Sequence, residues 1–235
     1  MSPLRSLSVA LALVAAPVAA APSTTVPPRV EVTYELRYND MLVAELTEVL
    51  ETRDGRYTIA SEAKGRGLAA ALPLGPFKQW SEGRVTREGL RPERYRDQRG
   101  PSRISIAELD WSAGVLKLSH RGKIETRPLE GAVHDRLTFA FTHMFAALPR
   151  DAVRMQITDG RGLSESRFSV VREEMVRTPL GEIAAVKATK DRLEPDDPQV
   201  EVWLSKAHYH LPVRMVRIDR DGKRFDQVAT RIDLR

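Results

Sequence analysis

From Val30 onward the chain alternates apolar and polar residues one by one. Val30, Val32, Tyr34, Leu36 and Tyr38 interleave with Glu31, Thr33, Glu35 and Arg37. A period of two places the first set on one face of a strand and the second on the other, so one face is buried and one is wet. Tyr57, Ile59, Ser61 and Ala63 repeat the habit after Asp54-Gly55. Further strands are expected at 80–85, 90–98, 103–111, 115–120, 153–158, 167–171, 182–191, 199–205, 211–218 and 224–234. The punctuation between them contains glycine, as at Glu88-Gly89, Ala113-Gly114, Arg121-Gly122, Asp159-Gly160 and Asp221-Gly222. Turns of that kind at that spacing predict a long antiparallel meander. Strands alternating with long helices are missing, and so are internal repeats and low-complexity linkers.

One stretch departs from the period of two. Leu137, Ala140, Phe141, Met144, Phe145 and Leu148 are spaced as one helical stripe. Asp135 can cap its start and Pro149 ends it, which predicts a helix over 135–148, about 20 Å long. His143 and two threonines are its only polar side chains after Arg136. A helix so apolar should be covered by protein. The expected fold is therefore all-β: a curved antiparallel meander, a half-open barrel wrapped around that helix, formed as strand twist accumulates. A two-sheet sandwich with the helix at one edge is the alternative. A second apolar patch, 68–77, reads as a short helix or lid limited by Pro73 and Pro76.

The opening of the chain reads differently. Residues 7–16 form an apolar run preceded by Arg5 and followed by Val18-Ala19-Ala20. The run is too short for a membrane span, which needs about 20 residues, and it matches a secretory signal with cleavage after Ala20. Residues 21–29 then form a short tether and residues 30–235 a single β-rich domain. The expected location is the periplasm, with no membrane span after cleavage. The chain has no cysteine, which excludes disulfides, a thiol nucleophile and thiolate metal sites.

Catalytic signatures are sparse. His208 and His210 would share one face if they stood in a strand, but they lack a third ligand and read as part of an exposed turn. Gly162-Leu163-Ser164-Glu165-Ser166 begins like a nucleophile elbow and lacks the closing glycine. A phosphate-binding loop and a His-Glu-x-x-His sequence are both missing. No cofactor, no metal and no catalytic residue is expected. The formal net charge is +5, and most of the 37 basic residues are arginine. Seven arginines lie between Arg84 and Arg103, and Arg94 and Arg96 would share a strand face. Guanidinium groups suit bidentate binding of phosphate or carboxylate. The candidate ligand-binding residues are Arg94 and Arg96, with Trp80 and Trp111 beside strand patterns and Phe141 and Phe145 on the apolar stripe.

The order of short motifs points to a family. Tyr34-Glu35-Leu36-Arg37-Tyr38-Asn39 is followed by Glu82-Gly83, Gly89-Leu90-Arg91-Pro92 and Leu109-Asp110-Trp111. Asp135-Arg136-Leu137-Thr138, Thr178-Pro179-Leu180-Gly181, Trp203-Leu204 and Leu211-Pro212-Val213-Arg214 complete the series. From about Val30 to Leu234 the chain resembles the exported bacterial family called domain of unknown function 3108. The resemblance implies a Gram-negative periplasmic, β-rich protein and brings no activity or catalytic residues with it. The expected function is a soluble cell-envelope protein that binds an apolar or amphipathic envelope ligand in the sheet concavity. Two alternatives stand beside it: an assembly factor pairing with an envelope protein, and a hydrolase of envelope polymer. Expected partners are a lipid, lipopolysaccharide or peptidoglycan component, or an envelope protein, and not nucleic acid.

Overall fold

A computed structural model describes residues 25–67, 70, 77–192 and 194–235. The signal segment, residues 21–24 of the tether and nearly all of the 68–77 patch lie outside those residues. The first arm of the fold runs β1 (Arg29–Tyr38), β2 (Met41–Arg53), β3 (Arg56–Gly65), β4 (Phe77–Thr86) and β5 (Gly89–Arg99). It continues through β6 (Arg103–Asp110), β7 (Val115–His120) and β8 (Lys123–Pro128). The second arm runs β9 (Val133–Asp135), helix α1 (Thr138–Phe141), β10 (Ala152–Thr158), β11 (Leu163–Thr178) and β12 (Gly181–Lys190). It closes with β13 (Gln199–Ser205), β14 (Leu211–Ile218) and β15 (Arg224–Leu234).

All fifteen strands form one sheet, in the order 8-7-6-5-4-3-2-1-15-14-13-12-11-10-9. Each arm is a meander, and the two are joined where β1 pairs antiparallel with β15. Among the described residues only β9 and β10 pair in parallel. The expected all-β curved meander is thus the fold.

Topology alone forces the sheet to roll. β8 and β9 are its two edges, yet only residues 129–132 separate them in the chain. Fourteen strand spacings laid flat would hold the edges about 65 Å apart. A connector of that length spans at most about 18 Å. The edges must therefore approach each other, and they do so without pairing: β9 packs against β5 instead. The turn between β10 and β11 abuts β6, where the α-carbon side of Gly160 faces the backbone of Ser105. The sheet is a rolled, unclosed barrel whose strands β6 to β8 run past the point of contact.

The core is the inner face of that roll. Val30, Val32 and Tyr34 on β1, Leu46 and Leu50 on β2, and Tyr57 and Ile59 on β3 are all buried. Each such side chain contributes about 1.5–3 kcal/mol relative to staying wet. The Asp54-Gly55 hairpin forms with both residues at positive φ (52° and 72°), the geometry that matches strand twist.

The predicted helix over 135–148 is the main departure. Asp135 ends β9, α1 spans four residues, and a 3₁₀ turn covers Thr142–Met144. The N-cap position falls at Leu137, which makes no side-chain cap, and Asp135 instead holds the turn before the helix, its Oδ1 accepting the amides of Leu137 and Thr138 at 2.9 and 2.8 Å. The helix stops early for two reasons. Thr138, Phe139, Phe141, Thr142 and His143 are poor helix formers. Thr142 Oγ1 is also taken by the amide of Leu90 on β5, at 2.9 Å. The stripe itself survives: Leu137, Ala140, Phe141 and Met144 are buried against the sheet.

Candidate functional site

The described residues do not fill the roll. A cavity of about 1140 Å³ lies between the two arms and the 136–141 segment. Its apolar wall includes Leu36, Leu46, Phe139, Phe141, Phe168 and Phe225. Its polar lining includes Glu48, Arg99, Arg136, Asp159, Arg161, Lys190, Arg217 and Asp219.

Most of these charges are neutralised locally. Arg99 pairs with Asp97 at 2.9 Å and lies 5.3 Å from the centre of the Phe77 ring. Arg217 pairs with Asp219 at 2.7 Å, and Lys190 with Asp197 at 3.4 Å. Asp159 accepts Nε of Arg161 at 2.9 Å and the amide of Arg161 at 3.0 Å, which holds its carboxyl below the usual range despite burial.

Glu48 is the unusual acid. It occupies an inward position of β2 between buried Leu46 and Leu50 and is itself buried. Burial pushes its carboxyl up to about 7, partly offset by the hydroxyl of Ser61, which donates to it at 3.2 Å. Among the groups acting on it there is no second acid.

A buried polar chain anchors the helical segment to the first arm. The Tyr57 and Ser81 hydroxyls lie 3.1 Å apart, and Ser81 donates to Asp135 Oδ2 at 2.6 Å. Desolvation raises Asp135 to about 6 against these hydrogen bonds.

The model of the family described as Protein of unknown function (DUF3108) matches residues 33–228. The chain belongs to this family. Among solved structures, the DUF3108 chain is similar to the β-barrel-like protein of domain of unknown function DUF1849 from Brucella abortus. That likeness has a TM-score of 0.56 at 10% identity and covers 90% of this chain and 99% of that one. It shows the fold alone. A candidate lipoprotein from Parabacteroides distasonis is similar at a TM-score of 0.38 and 9% identity, over 89% of this chain and 96% of that one. No curated protein matches. Among the described residues, no helix is long and apolar enough to cross a membrane.

The residues singled out in the DUF3108 sequence fall in different places. Phe141 lines the cavity and is buried, while Phe145 packs against the core nearby without lining it. Arg94 and Arg96 do share a face of β5 and are exposed, but Tyr95 and Asp97 between and beside them are the buried residues. Trp80 sits opposite Arg96 in the neighbouring strand, on that same outer face. Trp111 follows β6, donates Nε1 to the carbonyl of Pro92 at 2.6 Å and carries the Arg91 guanidinium 5.5 Å from its ring centre. The arginine pair and Trp80 are therefore separated from the cavity by the thickness of the sheet. His208 and His210 lie in the turn between β13 and β14, with His208 Nδ1 2.8 Å from Ser205 Oγ and His210 at φ 59°. Among the described residues no group of three or more His, Asp or Glu could hold a metal.

Two cavity residues escaped the sequence reading. Glu48 was detectable as a lone acid on an apolar row, Leu46-x-Glu48-x-Leu50. Arg136 reads in the sequence as a polar residue at the start of the expected helix.

Proposed function

We propose that this DUF3108 protein is a soluble periplasmic cell-envelope factor that holds an amphipathic envelope molecule in the concavity of its rolled sheet. The open cavity carries the reading. Its volume, about 1140 Å³, is at the upper end of small-molecule sites, which run to about 1,000 Å³. Apolar walls with a few polar groups are what such sites use to bury a chain and orient a head. An interior packed solid by Phe141, Met144 and Phe145 would have favoured the assembly-factor alternative. The 1–20 signal supports export, and cell fractionation tests it.

Native mass spectrometry of protein recovered from the periplasm tests the carrier. The expected result is a lipid adduct that Ala44→Trp, a substitution on the cavity wall, abolishes. A clean apo mass, with no saturable uptake of acyl amphiphiles by the purified protein, would overturn it.

One observation favours an assembly contact at a different place. β8 pairs with β7 on one side, has no strand on its other side among the described residues, and is exposed along nearly its whole length, with Ile124 66% exposed. An edge of that kind accepts an added strand. Crosslinking through Ile124 in cells separates the two readings by the chemistry of what is captured.

A further inference from the structure

Of the basic side chains lining the cavity, Arg99, Arg161, Lys190 and Arg217 each have a carboxylate partner. Arg136 has none. Among the described residues its guanidinium makes no hydrogen bond and no ion pair, although it is half-buried and lines the cavity. Neither nearby aspartate serves it. Asp135 points away into the Ser81 hydroxyl and the amides of Leu137 and Thr138. Asp159 acts on it electrostatically but is held by the side chain and amide of Arg161 and by the amide of Gly162.

The surroundings sharpen the point. Desolvation pushes the guanidinium below its ordinary range and repulsion from Arg99 and Arg217 adds to it, while Tyr95 and Asp159 act the other way. A cation placed like this costs free energy until an anion arrives. Guanidinium is also the group best matched to two oxygens of one carboxylate or phosphate. Phe139 and Phe141 flank the same segment and face the same cavity, beside Leu36, Leu46 and Phe168. An anionic head and a long apolar surface are thus offered to one molecule.

We propose that Arg136 receives the carboxylate or phosphate oxygens of an amphiphile whose acyl chain lies along the apolar wall of the cavity. The proposal rests on the carrier reading above and names the ligand class it takes.

The test is calorimetric titration of delipidated protein with four probes below their micellar concentrations. These are oleate, oleoyl lysophosphatidate, oleyl alcohol and inorganic phosphate. On the parent protein, oleate or the lysophosphatidate should bind at least tenfold more tightly than oleyl alcohol, and the better of the two identifies the head group. Arg136→Met should erase that margin and leave the alcohol within twofold. It should also hold or raise the thermal midpoint of the ligand-free protein, which a merely structural arginine would not do. Equal affinity for oleate, lysophosphatidate and alcohol on the parent would overturn the proposal. So would survival of the head-group preference in Arg136→Met, or phosphate alone binding as tightly as the lysophosphatidate. If Arg136→Met does not fold, the head-group comparison on the parent decides by itself. Failure of all three acyl probes to bind would instead remove the carrier reading, together with this one.

Discussion

Ser81 and Asp135, 54 residues apart in the chain, are joined by a 2.6 Å hydrogen bond buried beneath the helical segment. Asp135 thereby accepts from both arms of its surroundings, the Ser81 hydroxyl on one oxygen and the Leu137 and Thr138 amides on the other. Removing its carboxylate strands three buried donors. Asp135→Ala should lower stability by about 3–5 kcal/mol, and Ser81→Ala by about 1–3 kcal/mol. Urea denaturation checks both values. Additive losses in the double variant would show that the two residues do not act through each other.

Between about pH 4.5 and 7 the stability profile should be nearly flat, because opposing buried groups cancel there. Glu48 and Asp135 hold protons more tightly when folded, at about 7 and about 6, against 4.5 and 3.8 in the open chain. For such raised acids the stabilisation is complete below the unfolded value and is lost as pH rises through the folded one. His134 and His143 are pushed down by burial to about 4 from 6.5, so their contribution is regained over nearly the same interval as pH rises. Glu48→Gln removes one falling component. The variant should gain about 2–3 kcal/mol relative to the parent between pH 4.5 and pH 8. Denaturant midpoints at the two pH values read it directly, and an unchanged difference would mean that Glu48 titrates normally.

Gly83 stands at the bulge where β4 shifts register against β5. A Cβ there would lie 2.1 Å from the carbonyl oxygen of Arg91 and 2.9 Å from the Pro92 α-carbon, both backbone. Backbone cannot swing aside as a flexible side chain can. Gly83→Ala should therefore cost more than about 3 kcal/mol or abolish folding. Gly162→Ala, which like Gly83 has no positive φ but has nothing within 4 Å of the added carbon, is the control. Thermal melts of the two variants make the comparison.

Arg94 and Arg96 face outward, so truncating them should leave the cavity untouched. The double alanine variant should stay within about 1 kcal/mol of the parent, the usual range for two exposed positions. Its affinity for any cavity ligand should change less than twofold. A large loss of ligand would place the binding face on the outside of the sheet.

The sheet was legible in the sequence because alternation survives wherever one face is dry. β2 was not assigned, and its residues explain why. Met41-Leu42-Val43-Ala44 is a run of four apolar residues, and Glu48 then interrupts the inward row. The stripe from Leu137 to Met144 was legible as a buried face, but its backbone was not. Long-range partners such as the Leu90 amide compete for Thr142, and no local pattern reports them. Arg136 left a faint trace. Arg99, Arg161 and Arg217 each have an aspartate two residues away, whereas the residues two away from Arg136 are His134 and Thr138. The absent neighbour was readable, but the space in front of the side chain required the rolled sheet.

The seam between β1 and β15 has a kinetic meaning. Val30 is registered with Leu234, and Arg29 and Arg235 exchange both backbone hydrogen bonds at 2.8 Å. Arm-to-arm contacts such as Ser81–Asp135 close loops of 54 residues, but pairing β1 with β15 closes one of about two hundred, among the slowest kinds of contact for a chain to find. Assembly is therefore gated by its most distant handshake. Until that zip engages, each arm offers a bare strand to any neighbour, which makes the unjoined halves the form that a chaperone or an aggregate would catch.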